Sequence, residues 1–230
     1  MEFLRKIKGI FIASLLFGIT AFIVLIMRIF PSKQRSLRRV IAKVVRTIVG
    51  YKVEFEGEFD GSSELFVLNH QSLLDILIFD EFHPGDIKWV AKQELGKVPL
   101  LGPGFRSGAC ILIDRSNPRE IVHIIKQTGN FVKAGGAVAI FPEGTRGGGK
   151  KLLKFQSGAQ IIANKLGLKV QPVLIIGSKE ILDSKKLSFN KGVIKVVFLP
   201  SFVASEGSEW LAKIRENMQK ILDEKLAQNS

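Results

Sequence analysis

A histidine and an aspartate stand five residues apart in Asn69-His70-Gln71-Ser72-Leu73-Leu74-Asp75. An imidazole takes up a proton near neutral pH, and a carboxylate on one ring nitrogen leaves the other free to accept it. The pair is therefore a candidate general base with its orienting partner. On one continuous helix of 3.6 residues per turn, the two side chains would point about 140° apart. They meet only if His70 lies in the turn before a helix and Asp75 in its first turn. The flanking residues predict that layout. Residues 64–68 form an apolar run that reads as a buried strand, and Ser72 opens the apolar segment 73–79, which reads as a helix. His70 then lies at the carboxyl end of a strand, where open α/β sheets expose their chemistry. A plainer reading stands beside it: Ser72-x-x-Asp75 is also a capping box, whose only task would be to start the helix.

Two further stretches deliver charged donors from strand ends. The apolar run 137–141 leads into Pro142-Glu143-Gly144-Thr145-Arg146. Pro142 stops the strand and Gly144 permits a tight turn. Successive amides in such a turn cradle an anion, and Arg146 adds a forked, charged donor. Asp114-Arg115 follows a second apolar run, with a surface salt bridge as the plain alternative. Gly144 to Lys150 also matches the spacing of a nucleotide phosphate loop. However, the next position, where Ser or Thr would hold magnesium, is Lys151. The three histidines, His70, His83 and His123, lack metal-ligand spacing, so no metal site is expected. Cys110 is the only cysteine, which rules out an intrachain disulfide; its apolar neighbours make it a core thiol.

The elements around these residues fall into two textures. Residues 1–50 hold ten of the basic residues against one acid, Glu2, in a chain of net charge +13. Residues 9–27 carry no charge and make a helix of about 28 Å, just enough to cross a bilayer core. After a break at Pro31, apolar residues recur at helical spacing from Leu37 to Ile48 among arginines and lysines, until Gly50. This predicts an apolar helix over 7–30 and a basic amphipathic helix over 32–49 that lies on anionic lipid. If the first helix spans, its richly basic C-terminal flank puts the remainder on the cytoplasmic face. If both flanks stay on that face, the helices form a hairpin dipped into one leaflet, the preferred reading. An apolar helix has no use for a nucleic-acid backbone, so that partner is not expected.

From Tyr51, strands and helices alternate. Strands are predicted at 53–56 (an edge), Leu65–Leu68, 87–91, Cys110–Ile113, 137–141, Lys169–Ile176 and 193–199; helices are predicted at 118–134, 155–166 and 206–227. The fold class is α/β: a mostly parallel central sheet flanked by helices, with a membrane-associated two-helix segment before it. The domain division is 1–50 and 51–230. The loop 92–108, rich in Gly and Pro, reads equally as a wall of an apolar groove or as a plain connection.

Together the motifs resemble the glycerolipid acyltransferases with an HxxxxD motif, most nearly the bacterial enzymes that acylate 1-acyl-glycerol-3-phosphate. Four blocks match in order: Asn69 to Asp75; Gly108 to Arg115; Phe141 to Arg146; and Val170-Gln171-Pro172-Val173. Lys92-Gln93-Glu94-Leu95 fits the region between the first two. The resemblance covers roughly residues 50–200. It implies transfer of a fatty acyl chain from a thioester to a lysophosphatidate hydroxyl. His70 is then the general base and Asp75 its partner. Arg115 and Arg146, with Lys92, Thr145 and amides near Gly144, hold the acceptor phosphate, and Glu143 orients an arginine or meets the glycerol. Pro172 and Val173 lie on the donor side. No cofactor is implied beyond acyl carrier protein or coenzyme A as carrier of the acyl chain. The partners are lysophosphatidic acid and an anionic phospholipid surface, at the inner membrane with the catalytic domain on the cytoplasmic face. No Gly-x-Ser-x-Gly elbow is present, so direct attack without an acyl-enzyme is expected. Relatives that acylate lipid A usually carry Glu where this chain has Asp75.

Overall fold

The structure, a computed structural model, describes residues 2–114, 117 and 119–228. The chain begins with α1 (Glu2–Ile29), a 3-10 turn at Pro31–Lys33, and α2 (Gln34–Val49). Gly50 takes a left-handed φ of 80° and returns its N–H to the Arg46 carbonyl, which ends α2. The catalytic-motif region then runs β1 (Tyr51–Glu56), β2 (Leu65–Leu68), α3 (Leu74–Phe82), β3 (Ile87–Lys92), the one-turn α4 (Gly102–Gly104), β4 (Cys110–Ile113), α5 (Glu120–Lys133), β5 (Ala137–Ile140), α6 (Gly158–Leu166) and β6 (Lys169–Ile176). A short turn α7 (Ser178–Ile181), the hairpin β7 (Leu182–Asp183) and β8 (Ser188–Phe189), β9 (Gly192–Phe198), β10 (Phe202–Val203) and α8 (Leu211–Ala227) complete it.

The main sheet has the order β1-β9-β6-β2-β5-β3-β4. Its neighbours are parallel except β9 and β10, which both run antiparallel to β6. All four residues of β2 are fully buried, as a central parallel strand covered on both faces requires. Their alternation divides the core. Phe66 and Leu68 join α1, α2 and α3 on one face, while Leu65 and Val67 join α5, α6 and α8 on the other. The helix pair at the start of the chain thus shares a hydrophobic core with the sheet.

This topology creates the site. From β2 the chain crosses over one face by α3 and returns as β3, beyond β5. From β5 it crosses over the opposite face by α6 and returns as β6, beyond β2. The connections leaving the adjacent strands β2 and β5 therefore diverge. A crevice opens outside their carboxyl ends, at a topological switch point. His70 leaves β2 and Glu143 leaves β5, so the two follow adjacent strand ends at that crevice.

Several predicted bounds move. The helix expected to open at Ser72 begins at Leu74; the Ser72 hydroxyl donates to the Leu182 carbonyl at 2.7 Å and accepts the Leu74 amide only at 3.4 Å. The helix expected over 155–166 begins at Gly158, since the Gln156 amide is tied to the Pro142 carbonyl. The closing helix begins at Leu211 rather than 206; the Gln160 side chain takes the amides of Trp210 and Leu211. Helix α5 starts at Glu120, and the predicted start at Pro118 lies outside the described residues. The β7–β8 hairpin and β10 were not foreseen.

The basic face of α2 also departs from expectation. Four of its arginines turn inward, toward the end of α3, rather than outward to lipid. Arg38 donates to Asp80 Oδ1 at 3.1 Å and to the Ile87 carbonyl, and Arg35 donates to the Asp80 carbonyl. Arg39 meets the carbonyls of His83 and Pro84, and Arg46 forks onto Glu81 at 2.8–3.0 Å. The physical reason is Asp80. Its carboxylate is buried, burial pushes its pKa up, and a buried acid requires cationic or donor partners.

Candidate active site

His70 and Asp75 meet as their spacing requires, with His70 in the turn and Asp75 in the first turn of α3. His70 Nδ1 lies 2.9 Å from Asp75 Oδ2. The same oxygen accepts the backbone amides of Gln71 at 2.6 Å and Ser72 at 2.8 Å, and Oδ1 accepts the Ser178 hydroxyl at 2.5 Å. Backbone amides can only donate, so the carboxylate acts as acceptor throughout. His70 Nδ1 must then carry the hydrogen, and Nε2 is left with a lone pair. Asp75 is fully buried, whereas the imidazole keeps an edge toward solvent. The ring stacks on Phe141 at 4.0 Å, and Phe141 stacks on Trp89 at 5.0 Å, which limits its rotation.

The backbone around His70 is clamped from two strands. Asn69 exchanges both of its amide groups with the backbone of Ile175, which locks the end of β2 to β6. Glu143, buried after β5, accepts the His70 amide on Oε1 and the Leu153 amide on Oε2, each at 2.8 Å. Its carboxyl pKa is raised, chiefly by desolvation. The His70 carbonyl accepts the Gly147 amide, and Gln71 donates to the Gly149 carbonyl. The third motif thus holds the first in place, a link between residues more than seventy positions apart that no local pattern announces.

The remaining predicted residues occupy different settings. Gly144 makes the expected turn, donating its amide to the Phe141 carbonyl, and Thr145 and Arg146 are exposed at the crevice. Arg146 Nη1 donates to Ser184 Oγ on the β7–β8 hairpin. Lys92 ends β3 at the same edge of the sheet, in register with Ile113, and is exposed. Arg115 lies outside the described residues. Pro172 and Val173 are buried inside β6, so they stand in the core rather than on a groove wall. A proline is tolerated in this interior strand because the ladder changes partner there: β10 pairs with residues 169 and 170, and β9 begins at Val173. Gln171 fills the gap by donating to the carbonyls of Glu58 and Leu199.

Beside the crevice, an apolar cavity of about 380 Å³ runs between α1 and the sheet. That volume falls within the range of ligand pockets, about 300–1,000 Å³. Leu73, Leu77, Trp89, Leu182, Ser184 and Leu187 are among its walls, as are Leu16, Val24, Leu101, Phe105 and Cys110. Of the two readings of the loop 92–108, the cavity favours the wall, to which Leu101, Gly104 and Phe105 contribute. Burial pushes the Cys110 thiol up to about 12, so it is not ionised at neutral pH. Reading the sequence missed Ser178 as a partner of Asp75 and Ser184 as a partner of Arg146; both contacts depend on chain crossings that spacing does not reveal.

A family model described as Acyltransferase matches residues 52–176. A 1-acyl-sn-glycerol-3-phosphate acyltransferase of Helicobacter pylori is 38% identical over 211 residues, covering 90% of this chain and 89% of its own. The protein of the same description from Escherichia coli is 27% identical over 186 residues, covering 79% and 75%. The crystal structure of the 1-acyl-sn-glycerophosphate acyltransferase PlsC from Thermotoga maritima superimposes with a TM-score of 0.76 at 25% identity, covering 97% of this chain and 98% of that one.

Proposed function

Because the chain belongs to the acyltransferase family, we propose that it transfers a fatty acyl chain from a thioester to the sn-2 hydroxyl of 1-acyl-glycerol-3-phosphate, giving phosphatidic acid. One observation carries the mechanism: His70 Nδ1 is held 2.9 Å from the buried Asp75 carboxylate, and Leu73, between the two in the chain, is a wall of the apolar cavity beneath α1. His70 Nε2 takes the proton of the attacking hydroxyl as the oxygen bonds to the thioester carbonyl. Asp75 keeps Nδ1–H in place and stabilises the imidazolium. The tetrahedral intermediate then expels the thiolate, which takes the proton back from His70. The C–O bond has formed, the C–S bond has broken, and no acyl-enzyme intervenes.

Arg115 and Arg146 hold the acceptor phosphate, with Lys92, Thr145 and the turn at Gly144 beside them. Glu143 acts through the backbone, fixing the height of His70. Pro172 and Val173 act from the core of β6, the strand to which Asn69 is tied. The acyl chain lies in the cavity under α1, where each buried methylene contributes about 0.8 kcal/mol. The donor is an acyl carrier protein or coenzyme A thioester. The chemistry requires neither metal nor cofactor, and no nucleic acid is involved. Residues 1–50 serve as the membrane-associated pair and 51–230 as the catalytic unit. The outward apolar residues of α1 suit one leaflet of the inner membrane on its cytoplasmic face, because α1 packs along the sheet domain from Gly9 to Met27.

The test is transfer to 1-acyl-glycerol-3-phosphate in detergent, with each donor, by wild type and His70→Ala. Loss of at least about 10²-fold in the variant is expected. Equal rates would make His70 structural and the mechanism wrong.

A further inference from the structure

Two residues other than glycine hold a positive φ among the described residues: Leu100 at 63° and Leu187 at 49°. A left-handed backbone crowds the Cβ of any L residue, and an apolar side chain makes no local hydrogen bond in return. Both leucines are also exposed, 64% and 42%. Leu187 also lines the apolar cavity under α1, but at these exposures both strained tips leave leucine surface uncovered and call for an apolar surface to cover them.

Both tips lie against α1. The Leu187 carbonyl approaches Gly9 so closely that a Cβ there would come within 2.2 Å of it. Leu101, next to Leu100, packs on the same core cluster as α1, and Gly104 at the end of that loop meets Val24. Gly9 and Val24 are about 22 Å apart along the helix axis. Between them α1 exposes Phe11 and Phe22, at 68% and 63%. Lys97, Lys185 and Lys186, all exposed, flank the two leucines, where ammonium groups reach anionic headgroups.

We infer that Leu100 and Leu187 are membrane-inserting side chains, which with the outward face of α1 make a three-point seat on an anionic phospholipid leaflet. This rests on the proposed membrane association of α1. The seat also bears on the site. The hairpin that carries Leu187 receives the Ser72 hydroxyl at the Leu182 carbonyl, and its Ser184 accepts from Arg146. The turn that carries Leu187 toward lipid therefore also carries Ser184 against the phosphate-binding loop. This fixes the height of that loop above a substrate that itself lies in the leaflet.

The experiment places a tryptophan at each position in turn, in full-length protein on phosphatidylglycerol–phosphatidylcholine vesicles containing brominated lipid. Trp89 and Trp210 are only 3% and 8% exposed and give the background. Leu100→Trp, Leu187→Trp and the positive control Phe22→Trp should be quenched. Val122→Trp, on the exposed side of α5, should not. If Phe22→Trp is quenched while Leu100→Trp and Leu187→Trp are not, α1 seats the protein alone and the proposal is wrong. If none is quenched, the membrane reading fails and takes the proposal with it. In a second arm, Leu100→Gly, which leaves the walls of the cavity under α1 intact, should bind vesicles about tenfold more weakly while keeping transfer in detergent. Unchanged vesicle affinity would overturn the inference.

Discussion

Asp75 is buried out of reach of water, yet its two oxygens accept four hydrogen bonds. In Asp75→Asn the new amide group faces donors, and Nδ1 loses the acceptor that fixes its tautomer. We expect kcat to fall by about 10²–10⁴ with KM little changed; steady-state kinetics on detergent-dispersed acceptor check this. Ser178→Ala removes one donor and should cost about 1.5–3 kcal/mol of folding stability, read from urea midpoints, with a much smaller loss of kcat. Similar losses of kcat in the two variants would mean that Asp75 serves the fold more than the imidazole. Cys110→Ala should keep transfer near wild type, because a thiol held at about 12 is no nucleophile at pH 7. Loss of all transfer in that variant would bring back an acyl-cysteine. At this scale His70 and Asp75 were legible because their contact is local, five residues along the chain. Ser178 was not, because 103 residues separate it from Asp75.

Helix α2 looks, from its arginines and its apolar stripe, like a helix for a lipid surface. In the structure much of that charge is engaged at the end of α3, because the acids that claim it, Asp80 and Glu81, lie far along the chain. Arg38→Ala leaves Asp80 with Arg35 as a weaker partner and should lower stability by up to about 3 kcal/mol, measured by thermal or chemical unfolding. His83, at the same junction, packs against Phe59, Phe66 and Phe79, and burial lowers its pKa. The folded state therefore keeps His83 neutral where the unfolded chain already binds a proton. Its contribution is present above the ordinary histidine value of 6.5 and is lost as pH falls from there toward the lowered folded value. Unfolding free energy should decline over that window, with a slope of at most about 1.4 kcal/mol per pH unit from this group. His83→Gln should flatten the decline; an unchanged slope would place the acid sensitivity elsewhere.

At the scale of the whole molecule, the alternation of apolar runs and helical segments was enough to predict a mostly parallel α/β sheet. It did not reveal which strands adjoin. Placing β5 between β2 and β3 is what brings Glu143 onto the His70 amide, and that order is decided by packing of two sheet faces rather than by any run of residues. Likewise the apolar N-terminal helix was visible in composition, while its shared core with the sheet and the cavity between them arise only on assembly. The sheet carries the base, the third motif holds it, and α1 closes the space beside it. The most direct measurement of that account is single-turnover transfer of a radiolabelled acyl chain from its thioester to 1-acyl-glycerol-3-phosphate by wild type and His70→Ala, with folding of both verified. The account predicts labelled phosphatidic acid from the wild type, no labelled protein at any time, and loss of product in the variant. Product at the wild-type rate from His70→Ala, or label trapped on the protein, would contradict it.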